Sequence, residues 1–268
     1  MTAAPLLSLD HAGIVVRDLA AGAARWERLG FTLSPQSRQR GAVPGRDGMQ
    51  PWASANRCAI FERGYLELIG LVDPAAWNPW QAFLERFEGM HLLALRCANA
   101  DAAYAELAPR APFLDAPVQR ERRLEVDGAE RTMRFRNVFS RDALCPEGRY
   151  IVIEHQTPEL LWQRALMRHD NGAVALEEAT VVAEDAGVAA RMAALGGVAA
   201  VSTPAEFRQR HGWAPPAPAF AGVTVSFSNL ASAARMMETR GVKLRRSGDD
   251  LWVAPEDTNG FVLRMVQC

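Results

Sequence analysis

Short apolar runs of strand length, each followed by an amphipathic stretch, recur four times along the chain. The first run, Leu9-Asp10-His11-Ala12-Gly13-Ile14-Val15-Val16, predicts a strand near 8–16. Leu19, Ala23, Trp26 and Leu29 then mark one face of a helix near 18–29, with Asp18 as N-cap and Gly30 as C-cap. Phe31-Thr32-Leu33 opens a second strand. Residues 34–52, broken by Gly41, Pro44, Gly45, Gly48 and Pro51, read as irregular. Strands at 55–61 and 64–71, joined around Arg63-Gly64, complete a β-α-β-β-β order. The second copy places a strand at 91–97, a helix at 99–108, a hairpin from Val118 to Phe139 turning at Asp127-Gly128, and a strand at 149–155.

A third, worn copy aligns Leu176-Glu177-Glu178-Ala179-Thr180-Val181-Val182 with the first strand. Its helix runs from Ala189 to Leu195. The fourth starts at Gly222-Val223-Thr224-Val225-Ser226-Phe227 and continues through a helix at 231–240 and strands at 251–254 and 260–266. Four repeats of one unit predict an α+β protein of four βαβββ modules paired into two domains, 1–160 and 172–268. Pro158 and the polar stretch Gln163–Gly172 mark the boundary.

Composition narrows the function classes. Thirty Lys+Arg against thirty-one Asp+Glu give a net charge of −1, which offers no general attraction to nucleic acid or an anionic membrane. Apolar runs stop at strand length, short of a membrane span. Residues 1–5 lack the basic-then-apolar order of a signal peptide. The four cysteines (Cys58, Cys97, Cys145, Cys268) are scattered without a CxxC, as expected of buried or idle thiols in a cytoplasmic protein. A small-molecule ligand is therefore expected, with a homodimer an open assembly state.

The chemistry concentrates in the first two modules. His11 and His91 open matching strands 80 residues apart, and Glu67 and Glu154 lie on later strands 87 apart. Glu67 alternates with Tyr65 and Ile69, and Glu154 with Val152 and Tyr150, so each carboxylate sits among apolar neighbours where an ionised group needs a partner. One such glutamate alone reads as a salt bridge to an arginine. Four in matching slots form a candidate divalent-metal site. Two nitrogens and two oxygens suit Zn, Ni, Co, Mn or Fe(II).

Residues 6–157 resemble the vicinal oxygen chelate superfamily, and within it the bacterial glyoxalase-like domain proteins. The resemblance rests on Leu9-Asp10-His11, Ala55-Asn56-Arg57, Gly64-Tyr65-Leu66-Glu67-Leu68 and the run from Glu154 to Trp162. It implies a cupped sheet around a metal held by His11, Glu67, His91 and Glu154. Glu67 and Glu154 are then the catalytic carboxylates, with Glu154 as the base, and Asn56 and Arg57 orient substrate. The implied reaction is lyase or isomerase chemistry by proton abstraction on a small oxygenated metabolite. Where the family commonly has a histidine and Gly-Thr before the asparagine, this chain has Trp52-Ala53-Ser54-Ala55. Glutathione contacts of glyoxalase I have no counterpart. The C-terminal pair is degenerate, with Glu178 at the slot of His11.

Two other functions stay open. An extradiol-type dioxygenase would use His11, His91 and Glu154 around Fe(II), with Glu67 surplus and no His or Tyr between Met133 and Phe139. A metal-free binding or resistance protein would use the same cup without catalysis. The arginines Arg120, Arg122, Arg123, Arg131, Arg134, Arg136 and Arg141 form either a solvated face or a carboxylate clamp. The 36–52 loop is either a lid or merely exposed. Trp77 and Trp80 read as core anchors of a connector, and His155 as a packing or supporting residue. His169 and His211 are given no role.

Overall fold

The alternating strands condense into two mixed sheets. The computed structural model describes residues 7–126, 128–248 and 250–268. The turn residue Asp127 and the N-terminal residues 1–5 lie outside the described residues. The first half contributes β1 (Ser8–Val16), α1 (Leu19–Arg28), β2 (Ser37–Val43), β3 (Arg46–Ile60), β4 (Tyr65–Leu71) and α2 (Gln81–Arg86). It continues with β5 (Gly89–Arg96), α3 (Ala100–Leu107), β6 (Val118–Val126), β7 (Ala129–Phe139) and β8 (Arg149–His155). These strands form one eight-stranded sheet in the order β2-β3-β4-β1-β5-β8-β7-β6. Parallel pairs β1·β4 and β5·β8 flank the antiparallel β1·β5 seam, so the two modules face each other across the middle of the sheet.

The seam carries two irregularities that matter for the site. Register passes from Leu9↔Leu95 to His11↔Ala94, leaving Asp10 as an extra residue of β1, and from Gly13↔Leu92 to Ile14↔Met90, leaving His91 extra on β5. The β3–β4 turn passes through Gly64 at φ +75°, where an added Cβ would stand 2.7 Å from the Asp10 carbonyl oxygen.

The second half contributes β9 (Ala173–Val182), α4 (Ala186–Ala194), β10 (Ala200–Ser202), α5 (Pro204–His211) and β11 (Ala219–Phe227). After them come α6 (Leu230–Thr239), β12 (Leu244–Ser247), β13 (Asp250–Val253), α7 (Pro255–Thr258) and β14 (Val262–Gln267). They make a six-stranded sheet, β10-β9-β11-β14-β13-β12. The worn third module stops after two strands. A capping box, Thr203 to Glu206, starts α5 instead, and Phe207 of that helix packs with Val182, Trp252 and Val262.

One apolar core lies against the face of each sheet that carries the helices. It joins Ile14, Leu66, Leu93 and Val152 of the first sheet to Val181, Val223, Val225 and Phe227 of the second, with Trp26 of α1 and Met192 of α4 among its members. Asp18 caps α1 as expected, accepting from the Ala21 amide. The stretch expected to be irregular folds instead as the β2–β3 hairpin, turning at Gly45 (φ +73°). It is an edge hairpin whose outer residues are polar on both faces, so no alternation announces it. Phe31 and Leu33, expected to begin a strand, are buried in the core without joining a ladder.

Candidate active site

Strand parity decides which side chains enter the cup of the first sheet. Val15, Ile69, Leu92, Ala94, Ile151 and Ile153 form one apolar cluster on that face, which α2 closes with Phe83 and Leu84. By alternation the same face receives His11 from β1, Tyr65 and Glu67 from β4, and Asn56 and Cys58 from β3. On β8 the cup positions are Ile151, Ile153 and His155, and Glu154 turns to the opposite side.

The polar side chains of this face form a continuous chain. Arg122 Nη1 of β6 donates to Asn56 Oδ1 at 3.2 Å, and Asn56 Nδ2 donates to Glu67 Oε1. The other carboxylate oxygen, Oε2, stands 3.7 Å from His11 Nε2. His11 Nδ1 lies 2.7 Å from Asp10 Oδ1, while Arg96 Nε donates to Asp10 Oδ2 at 2.7 Å and His155 Nε2 lies 3.1 Å from it. An ionised carboxylate only accepts, so both imidazoles present N–H to Asp10. His11 Nε2, the ring nitrogen turned away from Asp10, faces Glu67. The Tyr65 ring stacks on His11 at 4.2 Å, and Trp162 closes the far end with Arg96 above its ring at 4.2 Å.

Electrostatics fix the states of Asp10, Tyr65 and Cys58. Asp10 is fully buried, which by itself would raise its pKa. Hydrogen bonds and charge from His11 and His155 outweigh burial and hold it well below the usual carboxylate range. Burial, together with the charges of Asp10 and Glu67, pushes Tyr65 far up, so it stays a neutral phenol. Burial and then the Glu67 charge likewise raise the Cys58 thiol, with Arg122 opposing. An inert thiol is thereby expected at Cys58.

Of the four expected ligands, the structure brings together His11 and Glu67 and separates the other two. His91 is the extra residue of its bulge, and its ring is held between Phe83 and Phe87 with Nε2 2.9 Å from the Phe87 carbonyl. Burial lowers its pKa to about 4. Glu154 accepts from the Ala100 amide at 2.8 Å, at the first turn of α3. A bulge at His91 and, separately, the parity of β8 at Glu154 keep these two side chains apart from the His11–Glu67 pair. A catalytic zinc-type site takes three protein ligands. Among the described residues no cluster of three or more His, Cys, Asp and Glu side chains is placed to hold a metal ion. The residues present thus do not fit the four-ligand centre. The His11–His91–Glu154 triad of a dioxygenase fails on the same geometry.

Asn56 enters the cup as expected, but Arg57 does not. Its Nε donates to the Ser34 carbonyl and its Nη1 pairs with Glu27 at 2.8 Å, which ties β3 to α1 on the helix side. His155, read as a supporting residue, faces the cup, and Asp10, one place before the histidine, was not singled out. Their signal was parity: β8 reaches the cup at every second residue, and His155 shares that parity with Ile151 and Ile153. Above this floor opens a cleft of about 1440 Å³ lined by His11, Tyr65, Glu67, Leu92, Met133 and Ile151 among others. The β2–β3 hairpin contributes Arg40, Met49 and Trp52 to its rim.

Comparison with known proteins places this architecture. The profile of the glyoxalase-like domain family matches residues 9–196, and the chain belongs to that family. No curated protein matches it in sequence. A 4-hydroxymandelate synthase variant from Streptomyces coelicolor shares the fold over 98% of this chain and 93% of its own, at 12% identity and TM-score 0.59. The 2,3-dioxygenase LapB from Pseudomonas sp. KL28 covers 97% and 92% at 11% identity and TM-score 0.55. A hypothetical protein from Staphylococcus aureus covers 98% and 100% at 10% identity and TM-score 0.55. The fold is thus the vicinal oxygen chelate architecture. Among the described residues no helix is long and apolar enough to cross a membrane.

Proposed function

We propose that this chain is an enzyme that moves a proton on a small oxygenated molecule in the cup of the first sheet, with Glu67 and His11 as the acid–base pair. One observation carries the reading: His11 Nε2 and Glu67 Oε2 converge at 3.7 Å on the floor of the cleft, each braced from behind. Between these two atoms one proton can be held and passed on, which is the arrangement an acid–base pair requires. Asp10 holds the imidazole in one tautomer, and the Asn56 amide fixes the carboxylate. Glu67 takes the proton from a carbon beside a carbonyl, His11 receives or returns it, and the Arg122 guanidinium stabilises negative charge developing on the substrate oxygen. The chain's own residues supply the base, the relay and the positive charge.

The test is hydrogen–deuterium exchange in D2O, followed by proton NMR over a panel of small 2-oxo and 2-hydroxy carbonyl compounds. Exchange above buffer is expected for wild type and a loss of roughly a hundredfold or more in His11→Ala and in Glu67→Gln. Exchange that persists in both variants sinks the assignment. Elemental analysis belongs beside it: a stoichiometric transition metal lost together with activity on chelation would overturn the metal-independent mechanism. The second reading is a non-catalytic binding protein. The size of the cleft and its apolar wall of Leu92, Ile151 and Ile153 favour it, and it predicts ligand binding with no exchange on any member of the panel.

A further inference from the structure

The cleft above the acid–base pair has a charge pattern that selects its ligand. Seven arginines line it against four carboxylates. Arg38, Arg123, Arg141 and Arg149 are already paired, with Asp73, Glu130, Asp115 and Asp142. Arg40, Arg120 and Arg122 have no carboxylate partner among the described residues. The last of these is the deepest. Arg122 is half-buried, and its hydrogen bond to the Asn56 oxygen uses one of its five N–H groups. Arg120, two residues away on the same face of β6, lies over the Phe139 ring at 5.5 Å. The hairpin is therefore not a uniformly paired basic face: Arg123 and Arg134 pair with Glu130 and Glu121, whereas Arg120 and Arg122 line the cup without a carboxylate partner among the described residues.

Two further observations define the remainder of the ligand. Leu92, Phe135, Ile151 and Ile153 form an apolar wall between the arginines and α2. The Asn137 side chain lines the same cleft, is 92% buried and leaves its amide oxygen without a hydrogen-bond partner. A buried orphan acceptor is costly and marks a place where a ligand group donates.

We infer that the cup takes small organic anions: a carboxylate or similar group held by Arg122 and Arg120, an apolar body against Leu92, Ile151 and Phe135, and a hydrogen-bonding substituent within reach of Asn137. This inference rests on the acid–base reading only in placing the anion beside the reacting carbon, because Arg122 is joined to Glu67 through the single amide of Asn56. Binding itself requires neither Glu67 nor His11.

The experiment measures binding of three probes with one ring and three charges, phenylacetate, phenylacetamide and 2-phenylethylamine, to the full chain by equilibrium dialysis. Wild type is expected to bind phenylacetate about tenfold more tightly than the amide and to exclude the amine. Arg120→Gln/Arg122→Gln brings the acid to the level of the amide, Arg122→Lys retains part of the preference, and thermal unfolding of each variant reports that the fold is intact. Equal binding of the three probes, no binding of phenylacetate at millimolar concentration, or a preference untouched by the double substitution overturns the inference. Glu67→Gln is expected to keep the anion preference. Anion preference without exchange activity overturns the acid–base reading alone, and exchange without anion preference overturns this inference alone.

Discussion

At the scale of single residues, Asp10 determines what His11 can do. A buried carboxylate that accepts from two imidazoles and a guanidinium stays ionised because its neighbours would otherwise lose charge-assisted hydrogen bonds. Asp10→Asn is expected to lower kcat by roughly a hundredfold while leaving the cleft intact, since the amide supports the wrong tautomer of His11 as readily as the right one. The same carboxylate gives a pH signature. Its folded pKa lies below its unfolded value, so its contribution to stability is complete above the ordinary carboxylate range and is lost as pH falls through and below that range. Thermal unfolding followed from neutral to acid pH should show a flatter acid limb in Asp10→Asn than in wild type. An unchanged limb would assign acid sensitivity elsewhere.

His91 is the contrasting residue. It is fully buried and neutral with a pKa near 4 against an ordinary 6.5, so the unfolded chain takes up a proton there that the folded chain refuses. Stability is present above about pH 6.5 and drains as pH falls toward 4, by up to about 3 kcal/mol. His91→Phe fills the same aromatic niche between Phe83 and Phe87 and should flatten that window without loss of exchange activity. Loss of activity in this variant would restore His91 to the catalytic set.

Elements set which residues meet. Residue type and spacing at His11 and Glu67 were legible because both sit on regular strands whose alternation survives in the sequence. The slot of His91 was not, since a bulge leaves no trace in composition, and Glu154 misled because alternation along β8 does not say which of its two faces meets the cup. Arg57 misled for the same reason: its neighbour Asn56 faces the cup, so it must face α1. Four modules were visible through repeated apolar runs, yet α5 and the β2–β3 hairpin were not, because polar edge segments carry little periodicity. A direct consequence concerns Glu154, which at the first turn of α3 faces the positive end of the helix. Glu154→Gln should lower stability by roughly 0.5–1 kcal/mol and leave exchange unchanged, as read by chemical unfolding beside the exchange assay. A collapse of exchange with little change in stability would return Glu154 to the role of base.

At the scale of the whole molecule, the two sheets are held by one core and by a buried charge pair between halves. Glu147, in the β7–β8 connection, is fully buried and accepts from Nε and Nη2 of Arg191 in α4 at 2.6 and 2.7 Å, while the Tyr150 hydroxyl donates to the same carboxylate at 2.7 Å. The degenerate half thus lacks the His and Glu of the first but completes its electrostatics. Alongside this pair, Phe220 of β11 stacks edge-on against Tyr150 of β8 at 5.3 Å, and Trp26 Nε1 donates to the Thr258 carbonyl at 3.0 Å. Cutting the chain after residue 160 would expose the apolar backs of β1, β5 and β8 together with a Glu147 that has lost its countercharge. Arg191→Met in the intact chain isolates the electrostatic part. It leaves a buried carboxylate with only the tyrosine as partner and is expected to cost about 3–5 kcal/mol. The double variant Glu147→Gln/Arg191→Met should recover most of that loss, because the penalty comes from an uncompensated charge and not from a missing contact. If the single and double variants unfold alike in denaturant, the halves are joined by their shared apolar core and the ion pair contributes little.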